Sequence, residues 1–170
     1  MKNFNEIAEF GQKLMAQTDL ESALILIAKE AKKVLNAERC SLFIVDAEND
    51  LLWTKISDGI EKIVIGIESG VVGDTYKKAE AQIVNNPYED PRFLPAIDKK
   101  TGYVTRNIIT VPIYNSKREM IGILQLLNKN DGDFTQEDLE FINFFGNYIS
   151  GSLELVMILD TQNKQEAKED

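Results

Sequence analysis

The amino-acid sequence predicts an α+β fold, with about six strands in one mostly antiparallel sheet and helices packed against that sheet. Two observations predict it. Apolar residues recur every three or four positions near both ends of the chain, whereas the middle holds short β-rich runs bounded by turn residues. The length of 170 residues suits one domain with a hydrophobic core of its own.

Two helices are predicted at the N-terminus. Apolar residues at helical spacing reach Met15, and we expect residues 1–17 to form a separate helix used for dimerisation or signalling. Thr18 and Glu21 have the spacing of a capping box, which predicts that a second helix begins there. The same apolar period then continues to Leu35.

Six segments in the middle of the chain are typical of β-strands. They are residues 40–46, 51–56, 62–67, 82–84, 107–114 and 120–127. Residues 70–80 predict a short helix, with glycines at its entrance, between the third and fourth strands. Pro112 cannot donate a ladder hydrogen bond, so we expect it at a sheet edge or a bulge.

Residues 85–106 form the longest stretch without a clear period. They contain three of the four prolines, at positions 87, 91 and 95. A long irregular segment inside a compact domain is usually a lid or a binding loop. We therefore expect this segment to cover a functional site.

The last helix is predicted to begin after Thr135, a good N-cap residue. It has two apolar stripes, which suggests two partners: the sheet, and the same helix of a second subunit. The alternative is one wide stripe that faces the core. The first stripe is Leu139, Ile142, Gly146, Ile149, Leu153 and Val156, and the second is Phe141, Phe144, Tyr148, Leu155 and Leu159. Residues 156–170 form the end of this helix and a polar tail, which we expect to fray from Thr161.

Charge and composition exclude several functions. Lys and Arg number 19 and Asp and Glu number 28, giving a net charge of −9 that disfavours binding to nucleic acid or to an anionic membrane. The chain has no histidine and one cysteine, so Ser–His and Cys–His nucleophile pairs and Cys/His zinc sites cannot be built. No apolar run is long enough to span a bilayer. We expect a cytoplasmic protein that is not an enzyme and has no metal or cofactor.

A series of short motifs spans residues 20–155. They are Glu38-Arg-Cys-Ser-Leu-Phe43, Ser57-Asp-Gly59, Gly70-Val-Val-Gly73, Asp90-Pro-Arg-Phe93, Asp98-Lys-Lys-Thr-Gly-Tyr103, Thr105-Arg-Asn107, Pro112-Ile113 and Ile121-Gly-Ile-Leu-Gln-Leu-Leu-Asn-Lys129. In this order and spacing the chain resembles a GAF domain, in particular the regulatory GAF domains of cyclic-nucleotide phosphodiesterases and adenylyl cyclases. The resemblance implies a GAF-like fold over residues 18–155. Terminal helices would lie on one side of the sheet, with the short helix and long loop on the other.

The family also has a signature Asn-Lys…Phe-x-x-x-Asp-Glu. Asn128, Lys129, Phe134 and Asp138 match it, while Leu139 replaces the final Glu. The resemblance implies an architectural role for this motif. We expect an ion pair between Lys129 and Asp138 that ties the last strand to the last helix.

The resemblance also implies a ligand site. Ser41, Asp58 and Gln125 would face a purine base. The backbone N–H groups of Val71 and Val72 would bind a cyclic phosphate, and a helix N-terminus suits an anion on physical grounds as well. The loop residues implied to cover ribose and phosphate are Asp98, Thr101 and Thr105. Ser57 and Leu94 stand where binding members can have aromatic residues, and these departures weaken the implied nucleotide site.

The sequence thus predicts a regulatory sensor module of a signal-transduction protein. Its ligand would be a small molecule, namely cGMP or cAMP, and its terminal helices would form a homodimer that relays binding to an output domain on the same chain or on a partner. Two alternatives stay open: a dimerisation and relay module without a ligand, and a binder of another small molecule.

Overall fold

A computed structural model of the protein describes residues 4–55 and 62–169. The helices are α1 (Phe4–Met15), α2 (Leu20–Leu35), α3 (Gly70–Lys78), α4 (Ala96–Thr101) and α5 (Gln136–Glu169). The strands are β1 (Ala37–Asp46), β2 (Leu51–Lys55), β3 (Lys62–Gly66), β4 (Gln82–Val84), β5 (Ile108–Tyr114) and β6 (Met120–Lys129). The predicted α+β fold is confirmed.

The six strands form one sheet in the order β3-β2-β1-β6-β5-β4, and each neighbouring pair is antiparallel. The short strand β4 pairs with β5 only as far as Thr110. Pro112 therefore lies where β5 has a single neighbour, β6, and a register shift follows at Ile113 and Tyr114. The expectation for Pro112 is confirmed, because this part of β5 is at the edge of the sheet and next to a register shift.

Three helices cover one face of the sheet, which we call the helix face. Leu42, Ile44 and Leu124 point from β1 and β6 into a single apolar cluster shared with α1, α2 and α5. In this cluster the rings of Phe10 and Phe145 stack at a centroid distance of 5.6 Å. Alternate residues of the same strands face the other side, where α3 packs on β5 and β6.

The start of α2 differs from the prediction. Its N-cap is Asp19, whose Oδ2 accepts a hydrogen bond of 3.0 Å from the backbone N–H of Ser22. The capping box predicted from Thr18 and Glu21 is therefore wrong. An ionised carboxylate one residue later in the chain satisfies the free N–H groups of the first turn instead.

The end of α5 also differs. We expected the chain to fray from Thr161, but the helix continues to Glu169. Asp160 explains part of this, because its Oδ1 accepts a hydrogen bond of 3.2 Å from the N–H of Leu20 and its Oδ2 lies 2.9 Å from the ammonium of Lys164. These contacts fix the helix beside the start of α2 and support its next turn.

The helix α5 presents one apolar stripe to the core and another outward. Ile142, Ile149 and Leu153 are fully buried, whereas Phe144 and Leu155 are 47% and 51% exposed. One wide core-facing stripe, the alternative left open by the sequence, does not describe this helix. Among the described residues, α5 is the one helix whose length and apolar content would let it cross a membrane, a test that core helices of water-soluble domains also pass.

Candidate functional site

The face of the sheet opposite α1, α2 and α5 has a row of polar side chains between two small apolar clusters. We call it the lid face and call residues 85–107 the covering segment, because Phe93 of this segment packs in one of the clusters and Leu94 lies beside Gly70 at the start of α3. In the register of the sheet, Ser41 of β1 is opposite Gln125 of β6, and Gln125 is opposite Thr110 of β5. The first cluster is built on Phe43, Leu52, Val72 and Ile123, and the second on Val71, Val84 and Ile108.

The members of the polar row differ in their partners. Thr110 is fully buried, and its Oγ1 lies 2.6 Å from the Oγ1 of Thr75 on α3. Ser41 and Gln125 are half-buried, and neither side chain makes a hydrogen bond within the described residues. A hydroxyl and an amide, each able to donate and accept, are thus available at the centre of the lid face.

The N-terminus of α3 lies beside this row. Val72 packs in the first apolar cluster and Val71 in the second, so the first turn of α3 bridges the two clusters that flank Gln125. The first intrahelical bond runs from the N–H of Gly73 to the carbonyl of Ser69, at 2.9 Å. The N–H groups of the three residues before Gly73 therefore lack an acceptor within the helix, which makes this end electropositive.

Two glycines make this turn possible. Gly70 has a φ of +69°, a conformation that side chains with a Cβ rarely adopt. A Cβ on Gly73 would collide with the backbone of Glu68. The spacing of the two glycines thus reflects the entrance of the helix, as the sequence suggested.

A carboxylate joins the parts of the covering segment. Asp98 of α4 is 8% exposed. Its Oδ2 accepts hydrogen bonds from the hydroxyl of Tyr88, at 2.5 Å, and from the N–H of Thr105, at 2.9 Å, while its Oδ1 accepts one of 3.1 Å from the Thr105 hydroxyl. The hydrogen bond to Asp98 raises the pKa of Tyr88. We call these three residues the lid latch.

An arginine anchors the start of the same segment to α3 and β4. The guanidinium of Arg92 donates to Asp90 Oδ1 at 2.9 Å and Oδ2 at 2.5 Å, and to Asp74 Oδ2 at 2.6 Å. It also donates to the side-chain carbonyl of Gln82. These bonds to Arg92 lower the pKa of Asp90 to about 2, and hydrogen bonds from Arg92 and Gln82 outweigh burial and lower the pKa of Asp74.

Asn128 fixes the other end of the segment. It has a φ of +60°, and its Nδ2 donates to the carbonyl of Val104 at 2.8 Å and to the Tyr103 hydroxyl at 2.9 Å. Its Oδ1 accepts from the N–H of Arg106 at 2.6 Å. The Asn128 amide thus bonds to backbone groups as a neighbouring strand would, and it fixes residues 104–106 just before β5 begins.

The rest of the predicted signature is architectural in the structure. The ammonium of Lys129 lies 2.6 Å from Oδ2 of Asp138, as expected. Asp138 also accepts from the N–H of Thr135 at 2.9 Å, and Thr135 Oγ1 accepts from the N–H of Asp138 at 3.2 Å, which confirms Thr135 as N-cap of α5. Phe134 is buried in the core of the helix face.

The structure brings some of the predicted ligand residues together and leaves others apart. Ser41, Val71, Val72 and Gln125 lie together on the lid face. Asp98 and Thr105 bond to each other in the lid latch, and Leu94, which is half exposed, lies near Gly70 at the entrance of α3. Thr101 is exposed, and its Oγ1 accepts from the N–H of Tyr103 at 3.3 Å. Ser57 and Asp58 lie outside the described residues.

Sequence reasoning missed two residues of the lid. The motif Asp90-Pro-Arg-Phe93 was noticed as part of the resemblance, but Arg92 was given no role there. Tyr88 is the second, and its ring meets that of Phe93 edge-on at 5.1 Å. Its hydroxyl bond to Asp98 was not foreseen. Within residues 4–55 and 62–169, no group of three Cys, Asp or Glu side chains could hold a metal ion.

Comparison with known proteins gives a consistent result. The sequence model of the GAF domain matches residues 19–153. A probable 3',5'-cyclic phosphodiesterase, pde-5 of Caenorhabditis elegans, is 30% identical over 163 residues, which cover 88% of this chain and 22% of that protein. The chain therefore spans about a fifth of the length of this relative.

Solved structures share the fold at lower identity. The GAF domain of a phosphoenolpyruvate-protein phosphotransferase from Coxiella burnetii superposes with a TM-score of 0.75 at 18% identity, covering 94% of this chain and 95% of that one. A free methionine-R-sulfoxide reductase of Neisseria meningitidis, solved with its substrate, gives 0.71 at 18% identity and covers 92% and 89%. The sheet and its helices are thus an arrangement found both in a GAF domain of a larger protein and in a reductase.

Proposed function

The chain belongs to the GAF domain family, whose domains are regulatory modules, and we propose that it binds a cyclic nucleotide, cGMP or cAMP, on the lid face. In this proposal the domain itself catalyses no reaction. It senses the nucleotide and relays its binding through α1 and α5 to an output domain on the same chain or on a partner.

The observation that supports this proposal best is the position of the α3 N-terminus beside the polar row. Three N–H groups without acceptors in the helix suit a phosphate, since the helix dipole favours an anion there even on an acidic protein. The unpartnered side chains of Ser41 and Gln125 lie next to the same turn and suit the edge of a base. The sequence identity to a probable cyclic phosphodiesterase points to the same class of ligand.

The lid latch gives the covering segment a defined structure. Asp98 uses both carboxylate oxygens on Tyr88 and Thr105, so it orders the segment from within. We infer that a nucleotide is bound by the floor and the helix, while the lid latch sets how readily the segment opens and closes. Ser57 and Asp58 stay proposed contacts of the base. Leu94 and Thr101 stay proposed contacts of the ligand from the covering segment.

Thermal unfolding with and without nucleotide tests the proposal. A ligand at one hundred times its Kd stabilises a domain by about 2.7 kcal/mol, which corresponds to a rise in Tm of roughly 5–10 °C at this size. We expect such a rise with cGMP or with cAMP. Gln125→Leu should reduce it, whereas Gln12→Leu, which changes an exposed amide on α1, should leave it intact. No rise with either nucleotide in the native chain would disprove nucleotide binding.

The outward stripe of α5 supports a homodimer as the relay. Phe144, Tyr148, Leu155 and Ile158 are 41–51% exposed, and their successive spacings of four, seven and three residues fit the heptad period of a coiled-coil seam. Leu155→Lys should therefore convert a dimer to a monomer in sedimentation equilibrium. Asn143→Lys, which adds the same charge to an exposed position beside the stripe, should not.

A relay module without a ligand is the second candidate. The hydrogen bonds between Asp98 and Thr105 favour a module without a ligand, because two of the residues implied to bind ribose and phosphate already have partners. A dimer that shows no thermal shift with either nucleotide would select this function, or the binding of another small molecule. In each case we propose a cytoplasmic module that binds neither nucleic acid nor membrane, as its net charge of −9 suggests.

A further inference from the structure

One buried hydroxyl on the lid face has no partner. Thr54 of β2 is 1% exposed, and its Oγ1 makes no hydrogen bond. The other buried threonines of the described residues are all paired: Thr75 with Thr110, and Thr105 with Asp98. A buried polar group left unpaired destabilises a folded protein, and valine has nearly the same shape without that penalty.

The sheet places this hydroxyl next to the proposed ligand site. Leu52 belongs to a lid-face cluster, and side chains alternate along a strand, so Thr54 faces the same side. Trp53 is opposite Ile44 on β1, which puts Thr54 beside Phe43, two residues from Ser41 on the same face. Positions related in this diagonal way lie about 7–8 Å apart. Thr54, Ser41 and Gln125, whose neutral polar side chains have no partners, therefore share the lid face of the sheet.

The distance across the sheet indicates which part of a ligand Thr54 would meet. The helix α3 packs on β5 and β6, whereas Thr54 is on β2, two strands beyond β6. Two strand spacings are roughly 10 Å. Thr54 is thus separated by about that distance from Gln125 of β6, which lies beside the first turn of α3. The hydroxyl would therefore meet the part of the ligand that extends from Gln125 towards β2.

We propose that the Thr54 hydroxyl is a binding group of this site and hydrogen-bonds the heterocyclic base of the nucleotide. This inference rests on the proposed function and adds a residue to it. In this arrangement the ligand supplies the missing partner, so the cost of the unpaired hydroxyl is recovered on binding. The adjacent segment 56–61 lies outside the described residues, and the proposal does not depend on it.

A pair of variants separates the hydroxyl from the methyl group. We would measure the Kd for cGMP and for cAMP by calorimetry in the native chain, Thr54→Val and Thr54→Ser, together with the Tm of each without nucleotide. Thr54→Val should bind at least about tenfold more weakly, since one hydrogen bond is lost. Its Tm without nucleotide should equal or exceed that of the native chain. Thr54→Ser keeps the hydroxyl and should bind within about threefold of the native chain.

Each other outcome has a distinct meaning. Native binding retained by Thr54→Val would overturn the role of Thr54 and leave the proposed function standing. Equal losses in Thr54→Val and Thr54→Ser would show that Thr54 acts through packing, which also overturns it. A native chain that binds neither nucleotide would refute the proposed function itself and, with it, this inference.

Discussion

The two faces of the sheet are held together in different ways. On the helix face, one continuous cluster of buried aliphatic and aromatic side chains joins α1, α2 and α5 to the strands. On the lid face, two small apolar clusters flank a polar row, and the covering segment is held by Asp98, Arg92 and Asn128 through hydrogen bonds and ion pairs.

This difference separates stability from response. Apolar burial is non-directional and is lost only when the core opens, so the helix face contributes most of the free energy of unfolding. Each polar contact of the lid contributes little on balance, because water or a ligand can replace its partner. The lid face can therefore open at a lower cost than the helix face.

The strongest test of this contrast compares two phenylalanines. Phe145 is fully buried on the helix face, and Phe145→Ala should lower the free energy of unfolding by about 3–5 kcal/mol. Phe93 packs at the edge of the second lid cluster, against Tyr88, and Phe93→Ala should cost about 1 kcal/mol. Urea denaturation of both variants measures this. Equal costs would mean that the two faces contribute alike.

The next largest effect is expected at Arg92. Arg92→Met leaves Asp90 and Asp74 without the guanidinium and should cost about 2 kcal/mol at pH 7. Folding lowers the pKa of Asp90 from 3.8 to about 2. The free energy of unfolding of the native chain should therefore fall as the pH drops from 3.8 to about 2, because the folded state then loses an ionised carboxylate that is bonded to Arg92. The variant should lose less stability over this range. Urea denaturation of the native chain and of Arg92→Met at pH 7, 4 and 2 measures the loss of stability at pH 7 and its dependence on pH.

Two further variants serve as controls for Arg92. Lys78→Met removes an exposed cation from the same Asp74 carboxylate and should change stability by less than about 0.5 kcal/mol. Arg92→Lys keeps the charge but cannot make the forked contact, so its stability should fall between that of Arg92→Met and that of the native chain. Full native stability in the Arg92→Lys variant would mean that charge alone holds the segment.

A smaller, local effect is expected in the lid latch. Tyr88→Phe removes one of the three hydrogen bonds to Asp98, and since Tyr88 is half exposed the cost should be about 1 kcal/mol. Hydrogen exchange at the backbone N–H of Thr105, which bonds to Asp98, should become about fivefold faster. The N–H groups of β6 should exchange at unchanged rates. An equal acceleration in β6 would show that the lid does not open independently.

The helix face was the easier one to predict from sequence. Periods of two and of three to four residues locate its strands and helices, and Thr135 was correctly predicted as an N-cap, because these signals are local. The start of α2 was misplaced because Thr18 and Asp19 are adjacent candidate caps, and only the contact with Ser22 decides between them. The extent of α5 depends on Asp160 meeting Leu20, which is 140 positions away in the chain.

The lid face was predictable only in part. The glycines of the α3 entrance, the long covering segment and the Lys129–Asp138 pair follow from spacing and from resemblance to the family. The contacts of Arg92 and Asp98 do not, because they join side chains from separate elements whose distance the sequence does not encode locally. Thr54 gave no signal at all, since a threonine in a strand is ordinary and only its burial without a partner makes it notable.

The smallest predicted effect on stability is at a polar contact between α1 and α2, on the helix face. Burial and the neighbouring Glu6 raise the pKa of Glu30. The folded state therefore holds the Glu30 proton more tightly, and this contribution to stability is present below its ordinary pKa of 4.5 and is lost as pH rises above it. Glu30→Gln should raise stability by about 0.5 kcal/mol at pH 7 and change nothing at pH 3. Destabilisation at pH 7 would mean that the carboxylate stabilises the contact between α1 and α2, so that directional polar bonds would contribute to both faces of the sheet.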